Sequence, residues 1–325
     1  MRLMNPVLDR ELTERMRSPR SMIMLSVYLV VLGAIVLLVY RVQVSASGNA
    51  FGSSPVTQLA GIGQSLFEWT ILLVLLLVLF LVPGFTAGSI AGERERQTLL
   101  PMQVTLLRPI DIVLGKIGAS VMFTLLLVVA TLPLLTVSYL IGGIRLTEVF
   151  AGLAFVMFTA LVVAALSVAC STFMKRVQTA TVLSYALVLL LMVGTAISYA
   201  VAFQVDQSRG VDRADPPRFI FAPNPVVALA DLAGADPFEQ RFDQFGFGGT
   251  TFSPLTELRR ALTDGTNFDN VAFDNFGNPM VVQTQNPDGP GIPLWVLYIG
   301  LSSAITLIAV GASVSRLRAP AELER

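Results

Sequence analysis

Six stretches of this chain, 22–40, 66–90, 117–141, 149–174, 179–203 and 293–314, run nineteen residues or more with no Asp, Glu, Lys, Arg or His apart from Glu68. At about 1.5 Å per helical residue, nineteen residues come close to the roughly 30 Å of a bilayer's hydrocarbon core. Lipid offers backbone groups no hydrogen-bond partners, so each run must be a helix. The hydrophobic fraction of 54% and charged fraction of 14% agree, as does a mean hydropathy of +0.71. The expected fold class is an all-α polytopic membrane protein with six transmembrane helices.

Charge placement sets the expected topology. Segments 1–21, 92–116, 174–178 and 315–325 carry 5, 4, 2 and 3 basic residues, whereas the short loops 41–63 and 142–148 carry one each. By the positive-inside rule the first four face the cytoplasm, with both termini there. Segment 204–292 has six Arg and no Lys against twelve Asp and Glu, and half of the chain's twenty Phe. An acidic external location follows, and so many phenylalanines predict a folded extracytoplasmic cap rather than a plain connector. Within it 223–232 and 254–262 read as short amphipathic helices. The chain therefore divides into 1–21, a cytoplasmic interfacial segment; 22–203, helices one to five with a cytoplasmic coupling segment at 92–116; 204–292, the cap; and 293–325, helix six and a tail.

Local signals refine this plan. Asn5 and Pro6 form a helix start, with Asp9, Arg10 and Glu11 following, and Met4, Val7, Leu8, Leu12 and Met16 share a face. That pattern suits a helix lying on the membrane surface; a solvated basic tail has the same charges. The first apolar run lacks a small-residue cleavage site and is read as a retained span. Pro83-Gly84 predicts a kink or short break in span two. Ala164-Ala165-Leu166-Ser167 suits close helix packing in span four.

The chemistry that is missing narrows the function. With no histidine and one cysteine, Cys170, the chain can build neither a His-based triad nor a thiolate metal cluster. Gly115-Lys116 is followed by Ile117 and preceded five residues earlier by Ile110, so it is not a phosphate loop. Asp269 and Asp274 lack a closing glutamate and read as a solvated turn rather than a calcium loop. Nothing basic is clustered as nucleic-acid binding requires. Ion-coupled transporters usually place ionisable residues inside their spans. Their absence here implies energy supplied from outside the membrane.

Segment 92–116 has the features of a place where that energy enters. Glu93, Arg94, Glu95 and Arg96 alternate in charge, and Pro101 and Pro109 bracket an expected short coupling helix, Met102 to Arg108, whose apolar residues suit a partner's groove. Gly92-Glu-Arg-Glu-Arg-Gln-Thr98, followed by Gly115-Lys116 at the next span, resembles the Glu-x-Glu-x-x-Thr and Gly-Lys pattern of ABC-2 type permeases. Asn5-Pro-Val-Leu-Asp-Arg-Glu11 is similar to the family's amino-terminal interfacial motif. Six spans with a long external segment before the last also match, so the resemblance extends over nearly the whole chain.

The resemblance implies a type V exporter-like fold and a membrane subunit that pairs with a second permease copy or paralogue and with separate ATP-binding subunits. It implies ATPase-subunit contacts at Glu93, Arg94, Glu95, Arg96, Thr98, Met102, Arg108, Gly115 and Lys116, with Asn5, Pro6, Arg10 and Glu11 in the interfacial helix. The chain itself would bind no cofactor and catalyse nothing; ATP and magnesium would sit on the partner. The expected setting is a bacterial plasma membrane, and spans rich in Leu, Val and Phe favour a hydrophobic or amphipathic substrate. A different class of protein, a membrane scaffold or sensor whose 204–292 cap binds an extracytoplasmic partner, would share the six spans but make the cytoplasmic charges dispensable. A membrane-embedded Ser/Lys enzyme would need Lys116 or Lys175 to face a serine within the spans.

Overall fold

The computed structural model describes residues 19–47, 55–97, 108–208, 218–233, 253–263, 271–273, 279–281 and 292–318. Six helices among them are long and apolar enough to cross a membrane. They are α1 (Pro19–Ser47), α2 (Pro55–Thr86), α4 (Pro109–Ile141), α5 (Leu146–Phe173), a fifth that joins α6 (Val177–Leu189) to α7 (Thr195–Ser208), and α10 (Leu294–Arg318); a five-residue helix, α3 (Ala91–Glu95), follows α2. Short elements complete the described chain: a 3-10 turn at Arg218–Phe221, α8 (Pro225–Ala233), α9 (Pro254–Thr263) and an antiparallel hairpin of β1 (Val271–Phe273) and β2 (Pro279–Val281).

Helix α5 is the hub, packing against α2, α4, α6, α8 and α10, while α1 lies outside on α2 and α4. Its small residues explain the position: Ala164, Ala165 and Ser167 are each about 1% exposed, as close packing requires. Hydroxyls scattered along the spans turn inward on their own helices. Thr70, Thr124, Thr172, Ser184 and Ser313 each donate to the carbonyl four residues back, so they satisfy themselves in an apolar setting instead of lining a polar path.

Helix ends follow local chemistry. Arg108 is extended before Pro109, which opens α4 with Asp111 in its first turn. Gly142 and Gly143 close α4 with φ of 107° and 85°, a backbone that side chains rarely adopt. The Gly142–Gly143 turn then sits directly on α2. A Cβ on Gly63 would stand 2.0 Å from the Gly142 carbonyl oxygen. Gly63→Ala should therefore push α2 off this turn and cost about 1–3 kcal/mol, read as lowered resistance to detergent or thermal unfolding.

Several boundaries differ from the sequence expectation. Helix α4 begins at Pro109, not near Ile117, so Asp111 and Lys116 belong to a membrane-crossing helix. Hydropathy alone stops at the first charge, whereas the helix includes Lys116, which is buried and paired. Helices α1 and α2 extend to Ser47 and from Pro55, shortening the loop expected at 41–63. Pro83 and Gly84 do not break α2, which continues to Thr86 and turns only at 87–90. Cys170 is buried, as expected of a small apolar side chain. The motif Asn5, Pro6, Arg10 and Glu11 lies outside the described residues, as do Thr98 and Met102.

Within the segment expected to be external, α8 is wedged among α2, α5 and α10, with Val227, Ala228, Leu229 and Ala230 at most 4% exposed. Its N-cap, Asn224, reaches the π-helical turn Leu190–Gly194 that interrupts the fifth span. The Asn224 amide donates to the Met192 carbonyl at 3.0 Å and to the Thr195 hydroxyl at 2.8 Å, while its carbonyl oxygen accepts from Val226 N–H. One side chain thus caps α8 and satisfies backbone freed by the bulge.

Candidate functional site

Residues 86–97 and the first turns of α4 form a junction at one end of the bundle, the lower end, where α2 ceases. Thr86, at its last turn, bonds to Ser120 of α4 at 2.6 Å. The chain then turns through Ala87–Ile90 into α3, and Ser171 near the end of α5 accepts from both Ile90 and Ala91 N–H at 3.0 and 2.9 Å. That hydroxyl serves donors that a short helix start leaves without intrahelical partners. Glycines permit the approach, since a Cβ on Gly88 would lie 3.1 Å from Val177.

Three consecutive charged residues of α3 then reach three different helices. Glu93 accepts from the Lys116 ammonium of α4 at 2.8 Å, and the same ammonium donates to the Ser89 carbonyl at 2.9 Å. Lys116 is 1% exposed and Glu93 20%, so this is a largely buried pair with an added carbonyl ligand, the arrangement that makes a buried lysine tolerable. Arg94 donates to the Met174 and Thr172 carbonyls at the end of α5, at 3.1 and 3.4 Å. Glu95 accepts from Val177 N–H at the start of α6, at 2.9 Å.

The signs fit the helix ends they meet. A cation sits at the negative C-terminus of α5 and an anion at the positive N-terminus of α6. Lys175 and Arg176, between the two helices, are exposed in the turn. The junction therefore ties the end of α2 to α4, α5 and α6 at once.

Of the residues singled out from sequence, Glu93, Arg94, Glu95 and Lys116 converge here through bonds within the chain. Gly115 is buried on α4, whereas Arg96, just after α3, and Arg108, just before α4, are exposed. Pro83 and Gly84 lie one turn above, where the Tyr185 hydroxyl donates to the Phe80 carbonyl at 3.0 Å and stands 2.9 Å from where a Gly84 Cβ would be. Sequence reasoning missed Ser171, Ser89 and Ser120. Lone serines in apolar runs carry no pattern that sets them apart from the hydroxyls that bond to their own helix.

At the opposite, upper end a second polar centre forms around Glu68, which is 1% exposed. Its carboxylate accepts from Leu255 and Thr256 N–H at 3.0 and 3.1 Å, from the Thr256 hydroxyl at 2.6 Å and from Gln64 at 3.3 Å. Glu68 thereby caps α9 and holds it on α2, while Asp231 of α8 accepts from Trp295 N–H at the start of α10.

No curated protein matches the chain. The family described as ABC-2 family transporter protein matches residues 47–234, from the end of α1 through α8, and so includes the lower junction and the Asn224 contact. The match takes in more than half of the 325 residues: the chain belongs to the ABC-2 transporter family and is a multi-pass membrane permease component of an ABC transporter, working with an ATP-binding subunit.

Proposed function

We propose that the chain is the permease of an ATP-driven exporter, and that its ATP-binding partner bears on the lower junction from the cytoplasm. The observation that carries this reading is the set of bonds from Glu93, Arg94 and Glu95 to α4, α5 and α6. A push at Arg96 or Arg108 would reach four spans through these bonds. Glu93, Arg94, Glu95 and Lys116 then transmit, and the exposed Arg96 and Arg108 make contact, with Thr98 and Met102 between them.

On this reading ATP and magnesium are held by the partner, and the chain supplies no nucleotide ligand. Two permease copies, or one with a paralogue, would frame the path. Both termini lie in the cytoplasm of a bacterial cell, and the cargo is hydrophobic or amphipathic.

Charge reversal at the exposed pair separates contact from folding. Arg96→Glu with Arg108→Glu should lower stimulation of the co-expressed ATPase by the permease about tenfold, since like charges facing a complementary surface repel. Thermal stability should stay within about 0.5 kcal/mol because both side chains are exposed. Unchanged stimulation and undiminished transport in the double variant, or failure of any ABC ATP-binding subunit to co-purify, would overturn the proposal.

A further inference from the structure

Helices α6 and α10 both pack on α5 but hardly on each other, which leaves a cleft between them. Val162 and Val163 of α5 form its floor, Pro223 and Pro225 roof it, and it encloses about 180 Å³. Its one polar corner is inward-turned: the Tyr298 hydroxyl donates to Thr159 at 3.2 Å. Leu187, Leu191 and Ile305 at the mouth are half-buried, so the cleft opens sideways.

Depth and chemistry identify the occupant. Leu187 and Leu191 stand ten and fourteen residues above the start of α6, hence roughly 15 to 21 Å along a membrane-crossing helix, near the middle of a bilayer about 30 Å thick. Water is disfavoured there, since apolar cavities of this kind stay dry; one of about 150 Å³ accepts a benzene-sized molecule. What lipid presents at that depth is the methyl end of an acyl chain. The exposed stripe of the fifth span, Val182, Ala186 and Leu189, faces nearly the opposite way from Leu187 and Leu191, so it offers a second copy of the permease a face separate from the cleft.

We propose that the cleft between α6 and α10, beneath Pro223–Pro225, is a lipid site that takes the methyl end of one acyl chain. The site is separate from the lower junction, and its test does not use transport. The roof belongs to the segment that Asn224 fixes to the π-helical turn, so the occupied cleft borders the irregular part of the fifth span.

The test uses the full chain in nanodiscs of phosphatidylcholine carrying a photoreactive diazirine at the end of one acyl chain, with adducts mapped by mass spectrometry. Adducts should be several-fold more frequent on Leu187, Leu191 and Ile305 than on Leu307 and Ile308, which are 73% and 71% exposed on α10. A diazirine next to the headgroup should not mark the cleft. Val163→Phe, filling the floor, and Leu187→Trp, blocking the mouth, should each lower cleft adducts several-fold and leave those on Leu307 unchanged. If Val163→Phe does not fold, the half-exposed Leu187→Trp still decides. Cleft labelling no higher than at Leu307, labelling insensitive to Leu187→Trp, or photo-leucine at 187 cross-linking to a second copy in place of lipid would each overturn the proposal.

Discussion

Glu93→Ala should destabilise the bundle by about 3 kcal/mol and abolish ATP-coupled transport. The variant leaves the Lys116 ammonium, 1% exposed, with the Ser89 carbonyl but without its counter-charge. Breaking a buried pair by removing one partner costs about 3–5 kcal/mol, and the retained carbonyl places the loss at the lower end of that range. Glu93→Gln should lose less, because the amide oxygen can still accept from the ammonium.

The decisive variant is double. Lys116→Met with Glu93→Gln removes both charges and should recover most of the stability, since a buried pair replaced by groups of similar volume is often neutral. If the junction transmits force as proposed, the double variant folds yet remains poorly coupled, because the tie between α3 and α4 is gone. Stability from denaturant unfolding and ATPase stimulation, measured side by side, separate the two effects. A double variant that is both stable and fully coupled would remove Lys116–Glu93 from the transmission path.

Much of this fold is legible in the sequence, and the exceptions share one physical cause. Six apolar runs fix the number of spans because lipid leaves the backbone no other choice. Hydropathy reports what a residue would prefer when isolated, however, and so ends span three before Lys116. In the structure the helix begins at Pro109, and Lys116 within it is paired with Glu93, 23 positions earlier. The stretch 223–232 likewise reads as a short helix, and the structure has one at Pro225–Ala233 with Asn224 just before it. That Asn224 also lies against Met192 depends on a π-helical turn that no residue pattern announces. The run from Glu93 to Arg96 stands out as the chain's most ordered charge alternation. Sequence suggests that those charges point to a partner; the structure adds that Arg94 and Glu95 bind the chain's own helix ends and Glu93 binds Lys116.

Glu68 is the sharpest case of a residue whose place is readable and whose role is not, and it carries the second large effect. Sequence puts a carboxylate at the upper rim of span two; the structure adds that α9, more than 180 positions away, hangs from it. Glu68→Ala should take the carboxylate from two backbone donors and one hydroxyl, in a site only 1% open to solvent. Each buried donor left unsatisfied costs about 1–3 kcal/mol, so a loss of about 3–5 kcal/mol is expected, discounted for water entering once α9 lifts. The loss should be local. Amide exchange should speed up at Leu255 and Thr256 and along α9, while α4 and the Lys116 junction at the far end keep their protection. Glu68→Gln preserves an acceptor oxygen and turns an amide toward Thr256, whose hydroxyl can accept in return, so it should retain α9 at a cost nearer 1 kcal/mol. If α9 exchanges no faster in Glu68→Ala than in the parent protein, its packing on α8 and α2 holds it in place without the carboxylate. The carboxylate would then be a passenger at the rim rather than the hook.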